Sequence, residues 1–148
     1  MSKHFKPNEQ EAWVGWVRAS QLVMEAIEQE LKEAGFPPLA WYDALLELDG
    51  APEGKLRLSE LGEKMLLKKF NVTRLVDRME KEGYVTRVAC DTDARGAYAA
   101  ITPKGKKRRV AMWSSYRDAV HKHFLAHLSE KEMSQLSSML RKIQLKLT

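Results

Sequence analysis

LKKFNVTRLVDRMEKEGYV, residues 67–85, sets Val72, Leu75, Val76 and Met79 at positions i, i+3, i+4 and i+7. That spacing predicts a short helix with one buried face. Gly83 follows as its C-terminal stop. The remaining positions, Lys69, Asn71, Thr73, Arg74, Asp77 and Arg78, are then the outward ones. Lys and Arg reach phosphates or guanine edges, Asn pairs with adenine, and Thr serves either role. Lys68, Lys69, Asn71, Thr73 and Arg74 crowd the N-terminal end of this helix, where the helix dipole favours phosphate. Taken alone, such a helix is an ordinary amphipathic surface helix. Its neighbours change the balance.

Upstream, Leu56–Leu58 alternates as a very short strand, and Ser59 is expected to cap a short helix carrying Leu61, Met65 and Leu66. Downstream, Tyr84–Cys90 and Ala97–Ile101 read as the strands of a hairpin, with residues 91–96 as its loop. Strand, two short helices and a β-hairpin is the order of a winged helix-turn-helix, whose second helix enters the major groove.

Two helices flank the block on each side. The first begins after Pro7, with Asn8 as expected N-cap and Glu11 completing a capping box. Its stripe runs through Trp13, Trp16, Val17, Ser20, Val23, Ile27 and Leu31 to a stop at Gly35. A second, Leu39–Leu48, is bounded by Pro37-Pro38 and Asp49-Gly50. Thr102 caps a long helix that opens with Pro103 and is expected to reach about His127. Ser129 and Glu132 then open a final helix with Met133, Leu136, Leu140, Ile143 and Leu147 on one side.

Charge is distributed unevenly. Residues 1–53 hold 4 basic and 10 acidic side chains, a net of −6. Residues 54–109 hold 15 basic and 7 acidic, a net of +8, and residues 110–148 hold 6 and 3, a net of +3. A basic middle on a chain of net charge +5 suits a polyanion partner.

Residues 67–85 also resemble the recognition helix and following strand of MarR-family regulators, whose pattern is roughly V-T-R-L-V-D-R-L-E-x-x-G-L-V. Asp93-Ala94-Arg95-Gly96, followed by Ile101-Thr102-Pro103-Lys104-Gly105, is similar to that family's D-x-R wing and the L-T-x-x-G that opens its next helix. The resemblance implies a mainly α fold with a small β wing, forming an intertwined dimer through its terminal helices. It implies a single domain over 1–148, with dimerisation helices at about 8–35 and 103–148 and the winged helix-turn-helix at about 39–102. Double-stranded DNA with a pseudopalindromic operator is the implied partner. Lys68, Lys69, Asn71, Thr73, Arg74 and Arg78 would serve the major groove, and Arg95 the minor groove. Asp93 would brace the wing by pairing with an arginine. Ala94 departs from the family, where a second Arg is common, and Lys68 stands where a Ser-like cap is usual. A small phenolic or anionic effector is also implied, with Trp13 and Trp16 as candidate pocket residues. For Trp13, Trp16 and Trp113 individually, the favoured reading is that large aromatics fill the core and dimer interface. The function expected is a repressor released by that effector; a winged-helix module that binds proteins instead is the alternative.

Other chemistry finds little support. The sequence lacks G-x-S-x-G, a phosphate-binding glycine loop and H-E-x-x-H, so an enzyme is not expected. No cofactor is expected. His123 and His127, spaced i, i+4 on the expected long helix, lack a Cys or Glu at metal-motif spacing, and His121 adds none. Cys90 is a single cysteine and reads as a strand residue. The run Lys104, Lys106, Lys107, Arg108 and Arg109 suits nonspecific attraction to DNA more than base reading. With no long apolar run and no secretory signal, the cytoplasm is the expected compartment.

Overall fold

The computed structural model describes residues 4–68, 71–90 and 93–148, apart from the side chains of residues 90 and 93–96. Helix α1 (Pro7–Glu33) and α2 (Leu39–Asp49) lead, through a 3-10 turn at Pro52–Gly54, into strand β1 (Lys55–Arg57). Helices α3 (Leu58–Lys64) and α4 (Val72–Lys81), strands β2 (Val85–Cys90) and β3 (Asp93–Ile101), and helix α5 (Pro103–His123) follow. A second 3-10 turn, Leu125–His127, precedes helix α6 (Glu130–Leu147). The architecture is mainly helical with one small sheet, as expected.

The chain divides into two compact units, Leu31–Tyr116 and the pair Met1–Glu30 with Arg117–Thr148. The first contains the helix-turn-helix. Its core joins Ala44, Leu45 and Leu48 of α2 with Leu56, Leu61, Met65, Leu75, Val76 and Met79. Tyr84, just before β2, and Val85 and Ala99 of the sheet close it. Removing each of the larger side chains from water is worth roughly 1.5–3 kcal/mol, which fixes which face of α4 turns inward.

The antiparallel sheet has the order β1-β3-β2. Ala99 of the central strand stands opposite both Leu56 and Arg87. Strand β3 begins at Asp93, so the expected loop over residues 91–96 is shorter than the sequence suggests, and the pairing is irregular between Ala89 and Cys90. Residue-type preferences located the hairpin but not where its ladder ends.

Several helix ends differ from the sequence expectation. Helix α1 starts at Pro7, and Glu9 accepts the Lys6 backbone N–H at 2.8 Å. Asn8 is therefore inside the first turn rather than the cap, because Pro is already suited to the first helical position. Likewise α3 starts at Leu58, with Glu60 accepting the Arg57 N–H at 3.3 Å, and Ser59 lies inside the helix. The strand before it shifts accordingly to Lys55–Arg57. Helix α5 stops at His123, since Phe124 leaves helical geometry at φ −127° and ψ −67°. His123 and His127 thus do not share a helix face, and the i, i+4 relation expected of them fails.

Other ends match. Gly35 and Phe36 donate to the Lys32 and Leu31 carbonyls, closing α1. Ser129 and Glu132 form the reciprocal capping box, at 2.9 and 3.1 Å. The Ser129 backbone N–H, and then its hydroxyl, hold the Glu132 carboxyl below its ordinary range.

Candidate nucleic-acid interface

Helix α4 is held in place from three sides. Asn71 caps it, its Oδ1 accepting the Arg74 N–H at 3.1 Å. At the far end Gly83 adopts φ 81°, and the N–H groups of Gly83 and Tyr84 close onto the Glu80 and Met79 carbonyls. A residue with a Cβ would be strained in that left-handed conformation. Leu75, Val76 and Met79 are buried, while Thr73, Arg74, Asp77 and Arg78 are exposed on the opposite face.

The turn before α4 depends on a residue that the sequence reading passed over. Asp43 of α2 is 6% exposed, and its two carboxylate oxygens accept the backbone N–H groups of Leu66 and Leu67 at 3.0 and 2.8 Å. A buried carboxylate accepting two N–H bonds satisfies donors that a tight turn would otherwise orphan. Lys68, exposed, donates its ammonium to the Glu63 carbonyl at the end of α3. Lys69 lies outside the described residues, and so do the side chains of Asp93 and Arg95 in the wing.

The start of α5 locks the far end of α4. The Thr102 hydroxyl donates to the Gly83 carbonyl at 2.6 Å and accepts the Gly105 N–H at 3.0 Å. Lys104 donates to the Glu82 carbonyl at 2.7 Å. Gly105 sits so close to the Tyr84 carbonyl that a Cβ there would collide with backbone. The T-x-x-G spacing therefore has a physical cause: one hydroxyl bridges two elements, and one missing side chain lets them approach.

Strand β2 carries a second residue that the sequence reading missed. Arg87 reaches Asp77 at 2.6 Å and Glu80 at 3.2 Å, both on α4. On the sheet's outer face, Lys55 and Arg57 lie over the Tyr98 ring at 5.0 and 5.9 Å. Neither cluster has a sequence signature, because its members come from separate elements.

Elsewhere in the same unit, Tyr42 packs against Tyr116 and Trp113, with centroids 5.0 and 6.5 Å apart. Burial raises the phenol pKa of Tyr42 and of Tyr116. Trp113 thus joins an aromatic cluster. In the other unit, Trp13 and Trp16 are 57% and 52% exposed and line an open groove with Leu140, Ile143 and Gln144. His123 bonds Glu30 at 2.9 Å, and the described residues contain no group of three metal-binding side chains. No helix of the described residues is long and apolar enough to cross a membrane.

A helix-turn-helix with an outward polar face on its second helix, followed by a β-hairpin, is the arrangement of a winged helix-turn-helix domain. Residues 34–96 match the sequence model of the MarR family. The chain is 32% identical to YkoM of Bacillus subtilis, an uncharacterized HTH-type transcriptional regulator, over 86% of this chain and 80% of that one. It is 29% identical to the transcriptional repressor MprA of Escherichia coli, over 68% of this chain and 56% of that one. Among solved structures it superposes on Sco3205 of Streptomyces coelicolor, a MarR-family regulator in complex with DNA. There the TM-score is 0.87 at 26% identity, covering 100% of this chain and 92% of the other. The chain belongs to the MarR family of transcription regulators, and its relatives act on transcription rather than as enzymes.

Proposed function

We propose that this protein is a homodimeric repressor that binds a pseudopalindromic operator and is released by a small phenolic or anionic effector. The observation that carries the reading is the outward face of α4, where Thr73, Arg74 and Arg78 are exposed while three apolar residues anchor the helix from behind. In this reading Arg74 and Arg78 contact bases or phosphates, and Asn71 and Thr73 add hydrogen bonds at the same end. Lys68 and Lys69 supply phosphate contacts. Arg95 enters the minor groove, braced by Asp93.

Helices at about 8–35 and 103–148 form the dimer interface of a single domain whose winged helix-turn-helix spans about 39–102. Support comes from apolar side chains left open on these helices: Trp13, Trp16, Leu22, Met139, Ile143 and Leu147. Trp13, Trp16 and Ile143 line one groove, the kind of exposed apolar surface that a partner covers. The effector would bind beside Trp13 and Trp16 and shift the population toward a spacing of the recognition helices that misses successive major grooves. The protein would act in the cytoplasm.

The test is binding to DNA from upstream of its own coding sequence against a scrambled duplex of equal length, across a salt series. Selective binding with a steep salt slope is expected. Arg74→Ala should cost about 1–3 kcal/mol of discrimination between operator variants. Arg95→Ala should weaken binding and erase A·T preference beside each half-site. Equal, weak binding of the parent to both duplexes would refute the reading. Sedimentation should give twice the chain mass; a monomer that still binds the operator tightly would remove the dimer from the proposal.

A further inference from the structure

Asp77 presents a problem for a DNA-reading helix. It lies on the exposed face, three and four residues from Arg74 and Thr73, where a bare carboxylate would repel phosphates. The structure gives it a counter-charge. Arg87 Nη1 lies 2.6 Å from Asp77 Oδ1 and 3.2 Å from Glu80 Oε1. Glu80 Oε2 also accepts the Arg87 backbone N–H at 3.0 Å.

That last bond matters for geometry. Strand β2 is an edge of the sheet, with β3 on its other side, so an edge N–H needs a partner from outside the ladder. Glu80 supplies it from α4. The recognition helix is thus fastened to the edge of the wing sheet by one arginine, through its backbone and its side chain together. The Arg87 side chain is 30% exposed and Asp77 56%, so the pair stands where a bound duplex would feel its charge.

We propose that Arg87 is a positioning residue for DNA recognition: it masks the carboxylates of Asp77 and Glu80 and ties the recognition helix to the wing strand. This rests on the DNA-binding reading above. Without the Arg87 side chain, two carboxylates on α4 would lose their counter-charge, and the helix would be tied to β2 only through the backbone N–H that Glu80 accepts.

The experiment uses the full chain and a duplex that the parent protein selects from a random-sequence pool. Arg87→Ala should bind that duplex at least about tenfold more weakly at low salt. The deficit should shrink as salt rises, because charge repulsion is screened. Arg87→Ala combined with Asp77→Asn should recover most of the loss. Arg87→Lys, which keeps the charge but cannot span both carboxylates, should fall between parent and Arg87→Ala. Should Arg87→Ala fail to fold by circular dichroism, Arg87→Lys with and without Asp77→Asn carries the same comparison. Arg87 variants that bind as the parent does, or a deficit that Asp77→Asn does not relieve, would overturn the inference while leaving the DNA reading intact. A parent that enriches no duplex would overturn both.

Discussion

Burial of Leu75, Val76 and Met79 orients α4, and single side chains at its ends hold it there. Asn71 spends its side-chain oxygen on the Arg74 N–H, so the residue most suited by type to adenine also caps the helix. Asn71→Ala should therefore lower unfolding stability by about 1 kcal/mol. It should also weaken DNA binding. Asn71→Asp keeps the cap and changes only the face. Chemical denaturation of the three proteins separates the roles: equal stability of Asn71→Ala and parent would show that the cap contributes nothing. Thr102 and Gly105 act in the same local way at the other end, and the sequence motif made both legible. Arg87 was not legible, because its partners lie seven and ten residues back on a different element.

At the scale of elements, α2 organises the turn that it does not belong to. Asp43 holds the N–H groups of Leu66 and Leu67, more than twenty residues away in sequence. Its neighbour Tyr42 packs against Trp113 and Tyr116 of α5. One helix thus touches the aromatic cluster and the helix-turn-helix turn through adjacent residues. Asp43→Ala should leave two turn donors without partners, at a cost of about 1–3 kcal/mol for each that water does not reach. Hydrogen exchange should show the Leu66 and Leu67 amides losing protection before the α4 core does. Unaltered protection at those two amides would mean that the turn holds itself. Pattern reading gave every helix and strand, yet it placed several boundaries one to four residues off. Boundaries depend on which residue happens to donate or accept at the end, as Glu9 and Glu60 do, and periodicity is silent on that.

At the scale of the molecule, the unit built from Met1–Glu30 and Arg117–Thr148 carries an acid-sensitive contact. Glu30 on α1 accepts from Lys122 and His123 at the end of α5, at 2.8 and 2.9 Å. The Lys122 hydrogen bond, then that of His123, holds the Glu30 carboxyl below its ordinary range. A carboxyl whose folded pKa is depressed stabilises the fold above its unfolded pKa. That contribution is lost as pH falls through the lower folded value. The parent should therefore lose melting temperature faster than Glu30→Gln below about pH 4.3. Parallel acid limbs for the two proteins would show that the contact does not couple to folding. The same unit leaves its tryptophans half in water, which a second copy of the chain would cover under the proposed dimer.

The sequence by itself determined the mainly helical class, the winged helix-turn-helix order, the buried face of α4 and the family. Those follow from periodicity, caps and turn residues, which act over a few positions along one element. Only the tertiary structure decided that Asp43 organises the turn, that Arg87 answers Asp77 and Glu80, and that α5 ends before His127. Each of these depends on which groups become neighbours after packing, or on where a helix gives way to a turn. Side-chain charge and hydrogen-bonding capacity are fixed by sequence, but their partners are chosen by the fold.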